Sequence, residues 1–149
     1  MSCPQRKHPR LPEYDYAQQG AYFLTICTKH RACVLSQIIL PESEADGASI
    51  SLTEIGEIAL RHLQRIPGLD SYVIMPNHIH LIVFREAGDR SISADIRSFK
   101  TLVTKKVGQS IWQTSFHDHI LRDPNDYLFH REYMDKNPAK WLMDPYYSA

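Results

Sequence analysis

The chain has 149 residues, 43% hydrophobic and 23% charged, with 17 Lys and Arg balanced by 17 Asp and Glu. That length suits one domain with one core, residues 1–149, and no apolar run of about 18 residues exists to form a membrane-spanning helix. Formal net charge is zero, which excludes a uniformly basic nucleic-acid coat; any such binding must rest on a local patch.

Residues 1–20 read as an irregular lead-in, basic at first but without the apolar segment of a secretory signal. Cys3, Cys27 and Cys33 are an odd number with no C-x-x-C spacing, so free thiols and a reducing, cytoplasmic setting are expected. AYFLTICTKH (21–30) and CVLSQIIL (33–40) carry strand composition. A polar turn over 41–49 leads to a return strand at 50–52. The period then changes: Ile55, Ile58, Ala59, His62, Leu63 and Ile66 share one face of a helix over 53–66, which Pro67-Gly68 ends. YVIM (72–75), a turn at Pro76-Asn77 and the strand HIHLIVF (78–84) follow. A second helix spans 91–107, with Ile92, Ile96, Phe99, Val103 and Val107 as its apolar stripe. Its other face gathers Arg97, Lys100, Thr101, Thr104 and Lys105. A last strand region covers 111–122, and Asp123-Pro124 starts a third helix over 124–137 as N-cap and first helical residue. Strand runs with short turns predict an α+β fold: a mostly antiparallel sheet with helices packed on it, of ferredoxin-like or RNA-recognition-like layout.

Three constellations carry chemistry. His78 and His80 alternate with Ile79 on a strand, so both imidazoles leave one face and can share a divalent cation. The plainer reading is two core histidines bonded to backbone. Histidine-triad hydrolases need a third histidine where Ile82 stands, and the metallo-β-lactamase pattern needs Asp-His where Leu81–Phe84 are apolar. His117-Asp118-His119 is a second such pair, able to serve the same metal or simply to lie at a strand end. In the last helix, Tyr133 and Asn137 are four apart on one face, with His130 a turn before. Turned toward the histidines, they would offer an amide oxygen as third ligand and a nucleophilic hydroxyl; otherwise Tyr133 is a core aromatic. Arg97, Lys100 and Lys105, with Arg122, are candidate phosphate contacts, or simply solvated cations. Tyr14, Tyr16, Tyr22 and Trp112 could stack on unpaired bases, although packing accounts for most of them.

Taken in order, RLPEYDYAQQGAYFLTICT, VIMPNHIH, IRSFKTLVTKK, IWQTSFHDHILRD and EYMDKNPAKW resemble the REP-associated tyrosine transposases, single-tyrosine members of the HUH (His-hydrophobe-His) superfamily. The resemblance spans about residues 10–144. It implies an HUH nuclease fold, Tyr133 as nucleophile, and His78, His80 and Asn137 as metal ligands. It also implies Mg²⁺ or Mn²⁺ as cofactor, although two imidazoles suit Mn²⁺ or Zn²⁺ better. The expected partner is single-stranded DNA, with a hairpin or palindromic repeat beside the cleavage site, acted on by a cytoplasmic, nucleoid-associated monomer or homodimer. The expected reaction is strand cleavage and rejoining through a 5′-phosphotyrosine, without ATP, in keeping with the lack of a G-x-x-x-x-G-K-S/T loop. Two rivals are a metal-dependent phosphoesterase using His78, His80 and His117 or His119 with activated water, and a non-catalytic DNA-binding module.

Overall fold

Strand β1 (Gly20–Cys27) lies between two antiparallel partners, and the sheet is built outward from it. The elements that follow are β2 (Ser36–Ile39), β3 (Ser49–Leu52), α1 (Glu54–Leu63), β4 (Leu69–Ile74), β5 (His78–Arg85), α2 (Ile92–Val107), β6 (His117–Leu121) and α3 (Pro124–Lys136). A short 3-10 segment, Pro138–Met143, continues from α3. This computed structural model describes residues 20–40, 47–144 and 146. The expected lead-in, Cys3, Tyr14, Tyr16 and most of the 41–49 turn therefore lie outside the described residues.

The main sheet has the order β4-β5-β1-β6, and β2 and β3 pair separately as a hairpin. Neighbours in the main sheet all run antiparallel. With α1 joining β1 to β4 and α2 joining β5 to β6, this is the split βαβ arrangement of ferredoxin-like folds. The expected α+β architecture is thus the one observed.

Strand alternation sorts the two faces. Tyr22, Leu24, Ile26, Ile79, Leu81 and Val83 meet Ala59 and Leu63 of α1 and Ile96, Phe99 and Val103 of α2. Each such side chain contributes about 1.5–3 kcal/mol when fully buried. The opposite face gives Phe23, Val73, Ile82 and Leu121 to a smaller cluster closed by Met134 of α3 and by Trp141. His78 and His80 share the parity of Ile82, so they emerge on the α3 side. Arg85 has the other parity and is buried at 2% exposure, where it pairs with Asp95 of α2 and donates to the Pro67 carbonyl at 3.0 Å.

The expected caps form: Asp123 accepts from Asp126 N–H, with Pro124 at the first helical position. Several boundaries shift. The helix expected over 53–66 ends at Leu63, and a turn carries the chain to Gly68, whose φ is 79°. A Cβ there would lie 1.9 Å from the Phe84 carbonyl oxygen, so glycine is required on both counts. Of 33–40, only Ser36–Ile39 pairs as a strand, because the Val34 and Leu35 carbonyls accept from the Thr53 hydroxyl. Of 111–122, only His117–Leu121 is strand; Trp112 makes an isolated bridge to Thr28. Cys33 is exposed and outside any disulfide, as expected, whereas Cys27 is disulfide-bonded, contrary to the free-thiol expectation. No described helix is long and apolar enough to cross a membrane.

Candidate active site

The cross-strand register places Thr25 of β1 between His80 of β5 and His117 of β6. The His80 Nδ1 lies 2.9 Å from the Thr25 hydroxyl, and the ring stacks on Phe23 with centroids 5.0 Å apart. His78 sits one pleat further on, its ring centroid 4.6 Å from that of His80. Both are buried, at 0% and 2% exposure.

Asn77 settles the His78 tautomer. Its amide NH₂ donates to the carbonyls of Arg31 and Tyr146, so its oxygen, 2.8 Å from His78 Nδ1, accepts from that nitrogen. His78 Nε2 is left with a lone pair. Among the described residues it has no hydrogen-bond partner, and neither does His80 Nε2. Burial drives the His78 pKa down to about 3 and holds that of His80 well below the usual imidazole range, so both rings are neutral near pH 7.

Helix α3 brings Tyr133 to His80 and carries Asn137 one turn further on, at its C-terminal end. The Tyr133 ring lies 5.5 Å from that of His80. Asn137, 3% exposed, donates from its amide to the Tyr133 carbonyl at 2.9 Å, and its buried Oδ1 has no hydrogen-bond partner among the described residues. Burial first, then the nearby Asp144 carboxylate, pushes the Tyr133 pKa up, while a hydrogen bond from Asn137 opposes them. Two strand imidazoles with unpartnered Nε2 atoms thus lie against each other, with the Tyr133 phenol ring beside His80 and the Asn137 amide bonded to the Tyr133 backbone. An isolated buried polar group of this kind costs about 1–3 kcal/mol, and two imidazole nitrogens with an amide oxygen form a donor set that suits a divalent cation.

Some neighbours were not legible beforehand. Asp144 places a carboxylate oxygen 3.9 Å from His78 Nε2, and Tyr146 lies against His78 with centroids 4.4 Å apart. Asp126 accepts from His119 Nε2 at 3.0 Å and lies 3.2 Å from His130 Nδ1. These three offer ligand atoms within 4.8 Å of one another, so they too could hold a divalent ion. His119 therefore joins α3 rather than His78 and His80. Only the i,i+4 spacing of Asp126 and His130 hinted at this in the sequence.

The phosphate candidates are dispersed. Arg97 and Lys105 are exposed on α2, with the sheet between them and the histidines. Lys100 spends its ammonium on the Gln113 and Ser115 carbonyls, at 2.8 and 3.1 Å, and burial lowers its pKa to about 8. Arg122 is exposed at the start of α3, where its N–H donates to Asp126. Of the stacking candidates, Tyr22 and Trp112 belong to the core.

No family model matches the chain. An uncharacterized protein of Haemophilus influenzae is 28% identical, over 95% of this chain and 93% of its own length. The REP-associated tyrosine transposase of Escherichia coli K12 is 34% identical over 48% of this chain and 44% of its own length, so the match spans less than half of that relative. Among solved structures, a REP-associated tyrosine transposase bound to a REP hairpin superposes with a TM-score of 0.61 at 25% identity, covering 87% of this chain and 74% of that one. The resemblance to REP-associated tyrosine transposases thus holds in sequence and in fold.

Proposed function

We propose that this chain, like the transposases it resembles, processes DNA, and that it cleaves and rejoins single strands through a 5′-phosphotyrosine at Tyr133. The observation that carries the reading is the pair of buried imidazoles, His78 and His80, with unpartnered Nε2 atoms among the described residues and the Tyr133 ring 5.5 Å from that of His80. His78, His80 and Asn137 would hold a divalent cation, Mg²⁺ or Mn²⁺. When bound, such an ion supplies Lewis-acid polarisation of a phosphate oxygen.

The chain's own residues do the rest. Thr25 and Asn77 fix the two imidazole rings, and α3 sets the phenol beside them. Tyr133 forms a bond from its oxygen to phosphorus while the bond to the 3′-oxygen breaks. The phenolic proton passes to a base and the leaving oxygen takes one up as a 3′-hydroxyl. A phenol with a raised pKa needs such an acceptor near pH 7. His130 lines the same cavity as Tyr133, its Nδ1 2.9 Å from the Asp126 carbonyl oxygen, and is assigned that role. Attack of a 3′-hydroxyl on the adduct reverses the step and rejoins DNA. The substrate is single-stranded DNA beside a hairpin or palindromic repeat, bound by a monomer or homodimer.

The His119, Asp126 and His130 group supports one second reading, a phosphoesterase acting through activated water. Incubation with labelled single-stranded oligonucleotides from the flanking genomic repeats and Mn²⁺ separates the two. A denaturation-resistant adduct that Tyr133→Phe abolishes supports the transposase. Hydrolysis that persists in Tyr133→Phe supports the phosphoesterase, and tight binding without cleavage leaves a DNA-binding module.

A further inference from the structure

Two cavities flank Tyr133. One, of about 320 Å³, is walled by Thr25, His80, His117, His119 and His130; the other, of about 380 Å³, by Glu132, Lys136, Asn137, Lys140 and Asp144. Both are the size of small-ligand sites. Among the described residues only Phe129 and Tyr133 line both, so these two rings stand between them. They stand four residues apart on one face of α3. Phe129 is 65% exposed, and its ring stands edge-on to that of His130 at 5.1 Å. The Tyr133 catalytic assignment gives that residue a reason to be there; nothing so far gives Phe129 one.

We infer that Phe129 is a nucleobase-stacking wedge, which holds apart the two bases flanking the scissile phosphate. The inference rests on the single-strand reading proposed for Tyr133. A phosphodiester seated at Tyr133 must send its two nucleosides to different sides, and the two cavities that share the Tyr133 and Phe129 rings offer a place for each. An exposed aromatic face beside cationic groups is the combination that grips an unpaired strand. Lys136 and Lys140 supply the cations in one cavity, Lys136 being only loosely paired with Glu132 at 3.9 Å. The other cavity offers imidazoles. A base stacked on Phe129 cannot also stack on its neighbour across the cleavage point, so the strand is kinked where the phenol must approach. Phe129 is a positioning residue and takes no part in bond making.

The test uses the full chain, Mn²⁺, and single-stranded oligonucleotides from the flanking genomic repeats, each carrying one 2-aminopurine. Wild type should alter the fluorescence most strongly at the positions either side of the cleaved bond. Phe129→Ala should lose that signal and raise KM by ten-fold or more, the scale of one lost base stack, with a smaller change in single-turnover adduct formation at saturating DNA. Phe129→Trp should restore both. Because Phe129 is exposed, its alanine variant should melt as wild type does. Adduct formation with unchanged KM and an unchanged 2-aminopurine profile in Phe129→Ala would overturn the wedge and leave the Tyr133 reading standing. Absence of adduct and of single-strand binding in wild type would overturn both.

Discussion

At the scale of single residues, the His78 and His80 pair was readable because alternation along a strand puts residues two apart on one face. Tyr133 and Asn137 were readable because four residues on a helix do the same. What holds the imidazoles was not readable. Thr25 lies 55 residues from His80 in sequence and meets it only through strand pairing. Asn77 lies in the expected turn between β4 and β5 and is also a buried hub, 1% exposed, that sets a tautomer. Groups that orient a ligating histidine typically change metal affinity 10- to 100-fold when removed. Titration calorimetry with Mn²⁺ should therefore show about a ten-fold or larger loss for Asn77→Ala and a similar loss for Thr25→Val, at unchanged stoichiometry. Asn137→Ala, which deletes a proposed ligand, should lose more. Equal affinities across the series would place the ion elsewhere, with His119, Asp126 and His130 the first alternative.

At the scale of elements, helix and strand identities followed from periodicity, whereas the boundaries followed from contacts invisible to it. Residues 111–116 have strand composition, but their carbonyls at Gln113 and Ser115 accept from Lys100, and the run is pulled out of the sheet. Lys100 thus ties α2 to that segment. Its folded pKa, about 8, lies below the 10.5 of an exposed lysine. Between those values the unfolded chain binds more protons, so this group's contribution to stability grows as pH rises from 8 and is lost as pH falls through 8. The difference in melting temperature between wild type and Lys100→Met should shift in favour of wild type from pH 8 to 10. Gly56 is a second tie. A Cβ there would sit 1.9 Å from the Leu35 carbonyl oxygen, at the packing of α1 on the β2–β3 hairpin. Gly56→Ala should destabilise by about 1–3 kcal/mol or more in urea melts, as overpacking does. Arg85, one residue beyond the expected strand 78–84, closes β5 as a buried cation; its partner Asp95 comes from α2. Asp95→Ala strands a buried charge and should cost about 3–5 kcal/mol in the same melts.

At the scale of the whole molecule, the sheet divides labour. One face carries α1, α2 and the larger core; the other carries α3, the histidines and the cavities around Tyr133. The zero net charge is consistent with this, since the cations at the site are few and local. The same division explains why the α2 cations, grouped in the sequence as a DNA-binding face, stand a layer away from the chemistry. Binary pattern tells which face of a helix is polar, not which side of the sheet it ends on. The central claim is that Tyr133 becomes covalently joined to DNA, and peptide mapping tests it most directly. The full chain is incubated with Mn²⁺ and single-stranded DNA from the flanking repeats, denatured, digested, and analysed by mass spectrometry. The account predicts nucleotide mass on the peptide containing Tyr133, absent in Tyr133→Phe and in His80→Ala. Nucleotide on any other residue, or cleaved DNA with no protein adduct, would contradict it.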